Sequence, residues 1–276
     1  QAMGKASANR LRVARVSGVG LYEYLAQQVL VQQTAEVQTF LMRSALLDEF
    51  DEVLCEQVIG QGLDVEAPWR TLMDTVLRLN LFVLPVGEYG QSLRYHHLFQ
   101  DFLRERIRRE RPEEVRRMQV RLAEYYTERE EWERAFELLK SLGKNEALAS
   151  LVEQAGSQLI SSGRVLTLSQ WLEALPTDIL NRRPVLIALS GIVSVTRGDS
   201  GQGLKLLDRA VESLRSAGEA VHLAHTLDRR SSAYRLAGQY QNALGDAEEA
   251  LALMDPAHKH NPIYADALLN KASALY

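Results

Sequence analysis

Two histidines, at positions 222 and 225, have a spacing that suits metal coordination. They lie three residues apart in a segment with helical periodicity, so their imidazoles would share one helix face with Asp228 or Glu219. No motif fixes a third ligand, and the alternative is a helix face that meets an organic ligand or water. We therefore predict no metal site.

The stretch from Gly198 to Lys205 has the glycines of a phosphate-binding loop, whose backbone amides surround phosphates while a lysine reaches the terminal one. Lys205 comes one position late, no Ser or Thr follows it, and a helical pattern rather than a strand precedes it. The stretch is typical of a turn between two helices. No nucleophile, base and orienting group occur together in a recognisable arrangement, so we predict that this chain is not an enzyme and binds no cofactor itself.

Arginine is concentrated between Arg104 and Arg121, where eight arginines outnumber four glutamates. A basic helix could bind DNA phosphates. The charges alternate in sign, however, which is typical of a solvated helix with internal ion pairs. We favour the solvated or interdomain interpretation over DNA binding.

Composition sets further limits on the fold and the compartment. The chain has 276 residues, 46% of them hydrophobic, and a net charge of −4, which gives no basic bias toward nucleic acid. It has no apolar run of about 18 residues, which a membrane helix requires, and no apolar signal-peptide core. The single cysteine, Cys55, excludes an internal disulfide. We expect a cytoplasmic protein.

Helical periodicity and two short apolar runs organise the first part of the chain. The runs Leu81–Pro85 and Leu93–His96 flank a polar connection that contains glycine, which indicates a loose hairpin. Four helical patterns precede the hairpin and one helix follows it, and this order of elements predicts a winged helix. The patterns cover Tyr22–Leu30, Val37–Leu47, Glu52–Ile59 and a segment opened by Pro68, and another helix begins near His97.

From Pro112 onward the pattern predicts successive helical pairs without further strands. A repeat is visible forty residues apart: Gly198, Leu204, Leu207, Ala210 and Leu214 recur as Gly238, Leu244, Ala247, Ala250 and Met254. A fixed period of this size predicts a helical solenoid in which each pair buries its apolar face on the next. The small residues Ala210 and Ala250 would let helices approach closely. Because the last pattern stops without a partner, we expect the natural chain to continue.

The order of several motifs resembles that of MalT-like bacterial regulators in the STAND class of signal-transduction ATPases. The resemblance is carried by Phe40–Asp48, Asn80–Val83, Tyr95–Leu103 and Trp171–Pro176. It implies a mainly α chain: residues 1–20 are linker, residues 21–111 a winged-helix domain, and residues 112–276 a truncated tetratricopeptide-like (TPR-like) superhelix.

The same resemblance implies the central, sensor part of a LuxR-family transcription regulator. In such a parent protein an inducer or regulatory protein would bind the TPR-like arm, and the winged helix would couple this event to an ATP- or ADP-binding domain of the same parent. DNA would be bound only through a C-terminal domain missing here, and the activated parent would self-associate. The alternative is a free-standing helical scaffold that binds peptides or proteins.

Two groups of residues are candidates for these roles. In the STAND class a winged-helix histidine contacts the phosphates of ADP, and His96 aligns with it, but the aspartate that usually follows is His97 here. Either histidine is therefore a candidate, and the alternative is a pair that merely ends a strand and starts a helix. On the arm, concave solenoid faces bind ligands. The candidates there are His225, Arg229, Arg230 and Arg235.

Overall fold

The computed structural model describes residues 18–60, 69–87, 90–254 and 262–275. Its contacts divide the chain into two compact units, Gln1–Arg129 and Glu130–Tyr276. Within the described residues, no helix combines the length and the apolar character needed to cross a bilayer.

The first unit contains the predicted order of helices and hairpin. A short connection separates α1 from α2, where Thr34 caps α2 by accepting a hydrogen bond from the Val37 amide at 3.3 Å. Helix α3 continues directly as a π-helical segment, Cys55–Gly60, which the sequence pattern did not predict. The elements are α1 (Gly18–Val31), α2 (Ala35–Ser44), α3 (Glu52–Leu54), α4 (Trp69–Arg78), β1 (Val83–Val86), β2 (Ser92–Tyr95), α5 (His97–Glu110) and α6 (Pro112–Glu128).

The two strands form an antiparallel hairpin whose register runs from Val83 opposite Tyr95 to Val86 opposite Ser92. A third segment joins this sheet through Phe50, which exchanges backbone hydrogen bonds of 2.9 and 2.8 Å with Leu93. The pairing places Leu93 and Tyr95 in the core, where both are buried. One face of the hairpin is therefore buried in the core of the first unit.

Aromatic rings fill the centre of the first unit. Phe50 packs against Phe40 and Tyr95 with ring centroids 5.9 and 5.1 Å apart, and Tyr95 contacts Phe99 of α5 at 6.1 Å. All four rings are buried. Because β2 contributes Tyr95 and α5 contributes Phe99, this cluster fixes the strand-to-helix corner between them.

The second unit consists of paired helices, as the period predicted. One helix was missed: the short α10 follows Pro176 and spans only six residues, too few to show a helical period. The helices are α7 (Trp132–Ser141), α8 (Asn145–Ser161), α9 (Val165–Glu173), α10 (Thr177–Arg182), α11 (Pro184–Thr196), α12 (Ser200–Ala217), α13 (Ala220–Leu236), α14 (Tyr240–Leu253) and α15 (Pro262–Leu275).

Small residues allow the paired helices to approach closely. A Cβ atom at Gly203 of α12 would lie 2.4 Å from Val195 Cγ2 and 2.9 Å from the Gly191 carbonyl of α11. Ala210 and Ala250 are fully buried, which confirms that small residues occupy the repeated positions. Without a side chain at position 203, the two backbones can pack at a distance that no other residue permits.

The predicted fold class is confirmed: a mainly α chain with a winged-helix part followed by helical pairs. The stretch from Gly198 is the predicted turn between helices, since Asp199 caps α12 by accepting from the Gln202 amide at 3.0 Å. Helix α1 begins at Gly18, before the predicted domain start at residue 21, and α6 lies in the first unit, beyond the predicted domain end at residue 111. Pro68 and residues 1–17 lie outside the described residues.

Candidate functional site

The two predicted nucleotide-contacting histidines lie where β2 ends and α5 begins. His96 occupies the N-cap position of α5, and its side chain makes no capping hydrogen bond. The rings of His96 and His97 stack with centroids 4.5 Å apart, and both side chains are exposed. The first turn of α5 contains no acidic residue. Two imidazoles beside the positive end of a helix dipole form an environment that favours an anion.

A strained turn before β1 positions the backbone of His96. Phe82 adopts a left-handed conformation with φ of 55°, which is unusual for an aromatic residue. Its carbonyl accepts a hydrogen bond from the His96 amide at 2.7 Å, and its ring packs 5.0 Å from that of Phe99. The conformation costs of order 1–3 kcal/mol, and strain of this kind persists where surrounding contacts hold it. Phe82 therefore helps to fix the point at which His96 leaves the strand.

A buried hydrogen bond joins β2 to α2 next to the histidines. The Ser44 hydroxyl donates to the Phe40 carbonyl at 2.6 Å and lies 2.6 Å from the Tyr95 hydroxyl. Since the only proton of Ser44 is used in the first bond, Tyr95 donates the second. Burial raises the pKa of Tyr95, so the phenol stays protonated and able to donate.

Helix α5 also holds the loop that follows α2. The Gln100 amide donates to the carbonyls of Ala45 and Leu47 at 3.2 and 2.7 Å. Arg104 donates to the Ala45 carbonyl at 2.6 Å and pairs with Asp48 at 2.9 Å. Two motifs that carry the family resemblance are thus in direct contact, because Gln100 of one donates hydrogen bonds to the backbone of the other.

On the second unit, α13 and α15 share a polar cluster formed by His225, Asp228, Arg229, Asp266 and Asn270, which we call the α13–α15 cluster. The Asn270 amide donates to Asp228 Oδ1 at 2.8 Å, and Arg229 Nη2 lies 3.4 Å from Asp266 Oδ2. Asp228 is fully buried. Its Oδ2 atom has no hydrogen-bond partner within the described residues and lies 3.7 Å from Arg229 Nε.

Burial sets the protonation of the α13–α15 cluster. It lowers the pKa of His225 to about 4, and the neighbouring charges of Arg229 and His222 add to this effect. The imidazole is therefore neutral near pH 7, with one nitrogen able to donate and the other to accept. Burial raises the pKa of Asp228, against the opposing effects of Arg229 and Asn270. The cluster thus combines a neutral imidazole with carboxylates whose charges are incompletely paired.

The structure does not bring the four predicted arm residues together. Arg230 faces a different side of α13, where it forms two 2.7 Å hydrogen bonds with Asp246 and one of 3.0 Å with Asp208. Arg235 lies near the end of the helix, and its buried Nε has no hydrogen-bond partner within the described residues. Only His225 and Arg229 share the face toward α15. As ligand contacts, all four remain predictions.

Sequence reasoning missed Asp266 and Asn270, and it named Asp228 only as a residue on the same helix face as His222 and His225. A signal was present at Asn270, a polar residue directly after two leucines in an apolar stripe, but its partner lies 42 positions earlier. For His222 and His225, the described residues contain no group of three or more His, Cys, Asp or Glu side chains arranged to hold a metal ion.

A family model of known proteins matches much of the first unit. Residues 26–115 match the family model of the MalT winged helix domain. Among solved structures, a STAND protein with a tetratricopeptide repeat sensor from Pyrococcus horikoshii superposes with a TM-score of 0.43 and 13% identity, over 92% of this chain and 49% of that one.

A curated relative extends the match into the second unit. The HTH-type transcriptional regulator MalT of Vibrio cholerae serotype O1 is 24% identical over 204 residues, which is 74% of this chain. The chain spans 22% of the length of that regulator. Residues 26–115 are therefore similar to the MalT winged helix domain, and a unit of helical pairs follows them.

Proposed function

We propose that the chain is the coupling and sensor part of a MalT-like transcription regulator of the STAND class. In the full-length protein, His96 or His97 would donate a hydrogen bond to a phosphate of ADP bound to the nucleotide-binding domain. The observation that carries this proposal is the exposed histidine pair at the positive end of α5, on a backbone fixed by Phe82 and Tyr95. A neutral or protonated imidazole can donate to a phosphate oxygen, and protonation strengthens the bond.

The helical-pair unit would act as the sensor. An inducer or regulatory protein would bind the face that carries the α13–α15 cluster, with His225 and Arg229 in contact with it. Such a ligand changes the state of the regulator only if it binds the open, ATP-bound form and the closed, ADP-bound form with different affinity. Self-association and DNA binding would then follow through other domains of the parent.

The test compares ADP release from full-length regulators that carry His96→Leu or His97→Leu, since leucine cannot donate a hydrogen bond. We expect the variant of the contacting histidine to release a fluorescent ADP analogue about tenfold faster or more, because a hydrogen bond to a charged group contributes roughly 1.5–3 kcal/mol. The other variant is the matched control, since the two rings are adjacent and both exposed. Wild-type release from both single variants and the double variant would contradict the proposal.

A further inference from the structure

A cavity of about 640 Å³ opens between α1 and α5 in the first unit, away from the features used so far. Its apolar wall consists of Tyr22 from α1 and of Leu98 and Phe102 from α5. These α5 residues lie one turn apart, on a different face from the buried Phe99 and Leu103. Helix α5 therefore has a second apolar stripe, and α1 covers only part of it. We call this cavity the α1–α5 groove.

Acidic side chains border the apolar wall. Glu23, Asp101 and Glu105 line the groove, and none of them forms an ion pair within the described part of the chain. Of the two arginines there, Arg106 is matched by Glu110 at 2.9 Å, which leaves only Arg109 as an opposing charge. Three carboxylates against one guanidinium give the groove a negative potential that attracts cations.

The Tyr22 hydroxyl adds an unused polar atom inside the groove. It is buried and makes no hydrogen bond among the described residues. Burial and the nearby Asp101 carboxylate raise the pKa of Tyr22, so the phenol remains neutral. The phenol therefore adds no charge beside the groove, and its ring, with that of Phe102, can present a π-face to a cation.

The size of the cavity decides between a small molecule and a protein partner. Small-molecule sites typically occupy about 300–1,000 Å³ and combine apolar walls with a few polar groups. A stable protein interface requires about 800 Å² on each partner, far more than one gap between two helices offers. The groove therefore fits a small ligand that carries both an apolar body and a positive charge.

We propose that the α1–α5 groove binds a small organic cation, an amine with an aromatic or branched apolar body. The apolar body would contact Leu98, and the ammonium group would lie between the rings of Tyr22 and Phe102 and the carboxylates of Asp101 and Glu105. The side chains that line this site differ from those of the histidine pair and of the α13–α15 cluster. A ligand could thus bind the winged-helix unit directly.

The test uses three probes with the same ring: 2-phenylethylammonium, the neutral 2-phenylethanol and the anionic 3-phenylpropionate. Each is titrated into the whole chain with ¹³C-labelled leucine methyl groups, and NMR chemical shifts are followed. We expect the ammonium probe to shift the Leu98 methyl signals with saturation below about 10 mM, an affinity suited to so small a ligand. The neutral probe should bind at least about fivefold more weakly, because it lacks the charge interaction.

Substitutions in the groove distinguish the contribution of its charges to binding from that of its aromatic wall. The double variant Asp101→Asn, Glu105→Gln should weaken 2-phenylethylammonium binding about fivefold or more, as exposed carboxylates each contribute modestly to holding a cation. The matched control is Glu124→Gln, Glu128→Gln, which removes two exposed carboxylates of α6 outside the groove and should leave binding unchanged. Phe102→Leu keeps an apolar side chain but removes the π-face, so it should weaken the ammonium probe more than the neutral one.

Several results would overturn the proposal. One is the absence of any Leu98 shift with the ammonium probe at about 10 mM. A second is equal affinity for the charged and neutral probes, and a third is equal loss of affinity in the groove variant and the control variant. Binding that shifts only leucines of α7 to α15 would place the cation elsewhere.

Discussion

The two compact units are stabilised by contacts of different range along the chain. In the first unit, buried polar side chains join distant segments: Ser44 contacts Tyr95, and Gln100 contacts the Leu47 carbonyl. In the second unit, consecutive helices pack on each other, and small residues such as Gly203 set their spacing. The first unit therefore relies on specific polar atoms, whereas in the second unit the volume between consecutive helices matters as well, in addition to buried polar contacts such as that of Asp228 with Asn270.

The largest expected loss of stability comes from adding a methyl group where two helices of the second unit pack closely. Gly203→Ala would place a Cβ atom 2.9 Å from two backbone atoms, Val195 N and Gly191 O, and neither can move without shifting a helix. Overpacking of this kind costs about 3 kcal/mol, so we expect the free energy of unfolding to fall by that amount. Urea titration followed by far-UV circular dichroism measures it.

The matched control is Gly245→Ala, the same substitution in α14. A Cβ atom there has no neighbour within 4 Å, and the residue is exposed in a helix. Alanine is the better helix former, so this variant should be more stable by about 0.5–1 kcal/mol. If both substitutions changed stability equally, close packing of α11 on α12 would not govern the second unit.

The next effect concerns the buried hydrogen bond of the first unit. Ser44→Ala leaves the buried Tyr95 hydroxyl without its acceptor, which should cost about 2 kcal/mol. Tyr95→Phe should cost only about 1 kcal/mol, because Ser44 keeps its bond to the Phe40 carbonyl. Equilibrium urea unfolding of both variants measures the difference.

The double variant Ser44→Ala, Tyr95→Phe tests the direction of that bond. Because it leaves no unpaired phenol, it should be at least as stable as Ser44→Ala alone. A double variant whose loss equals the sum of the two single losses would show that the two hydroxyl groups act independently.

The sequence separation of contacting residues also explains how much of the fold the sequence could predict. The hairpin and most helices follow from local patterns, and the forty-residue period predicts the close approach at Ala210 and Ala250. The π-helical segment Cys55–Gly60 and the left-handed Phe82 have no local signal, because tertiary contacts hold them in place. Local pattern reading therefore succeeds where the stabilising contact is itself local.

The candidate site residues show the same difference between local signals and long-range contacts. His96 and His97 could be named because a recognisable motif contains them, and in the structure both are exposed where α5 begins. On the arm, His225 and Arg229 were named from one helix alone. Their partners Asp266 and Asn270 belong to another helix, so the cluster itself could only be found in three dimensions.

The burial of His225 predicts a pH dependence for the second unit. Its pKa is about 4 in the folded state and about 6.5 when unfolded, so between these values the unfolded chain binds a proton that the folded chain does not. Stability is therefore lost as pH falls from 6.5 toward 4. At pH 5 the loss should be about 1.5 kcal/mol after allowance for partial solvent access.

His225→Gln removes this ionisation, and the difference between wild-type and variant unfolding free energies from pH 7 to 5 isolates it. The comparison cancels Asp228, whose raised pKa acts in the opposite direction, with stability lost as pH rises through the folded value. The three charged or titratable groups that shift the pKa of His225, namely Arg229, His222 and Asp266, are the same in both proteins. Parallel pH curves for the two proteins would contradict the burial of His225.

The smallest effect is expected from an exposed ion pair in the first unit. Arg94 pairs with Glu49, but their side chains are 54% and 45% exposed, so solvent screens the attraction. Arg94→Gln should change the free energy of unfolding by less than about 0.5 kcal/mol.

Arg43→Gln provides the matched comparison, since Arg43 and Glu114 are only 14% and 16% exposed. Its loss would leave the Glu114 carboxylate with Arg111 alone, at 3.6 Å. A half-buried charge deprived of its closer partner is costly, so this variant should lose more than about 1 kcal/mol in the same urea titration. Equal losses for Arg94→Gln and Arg43→Gln would mean that long-range polar contacts stabilise the first unit through their number and not through their burial.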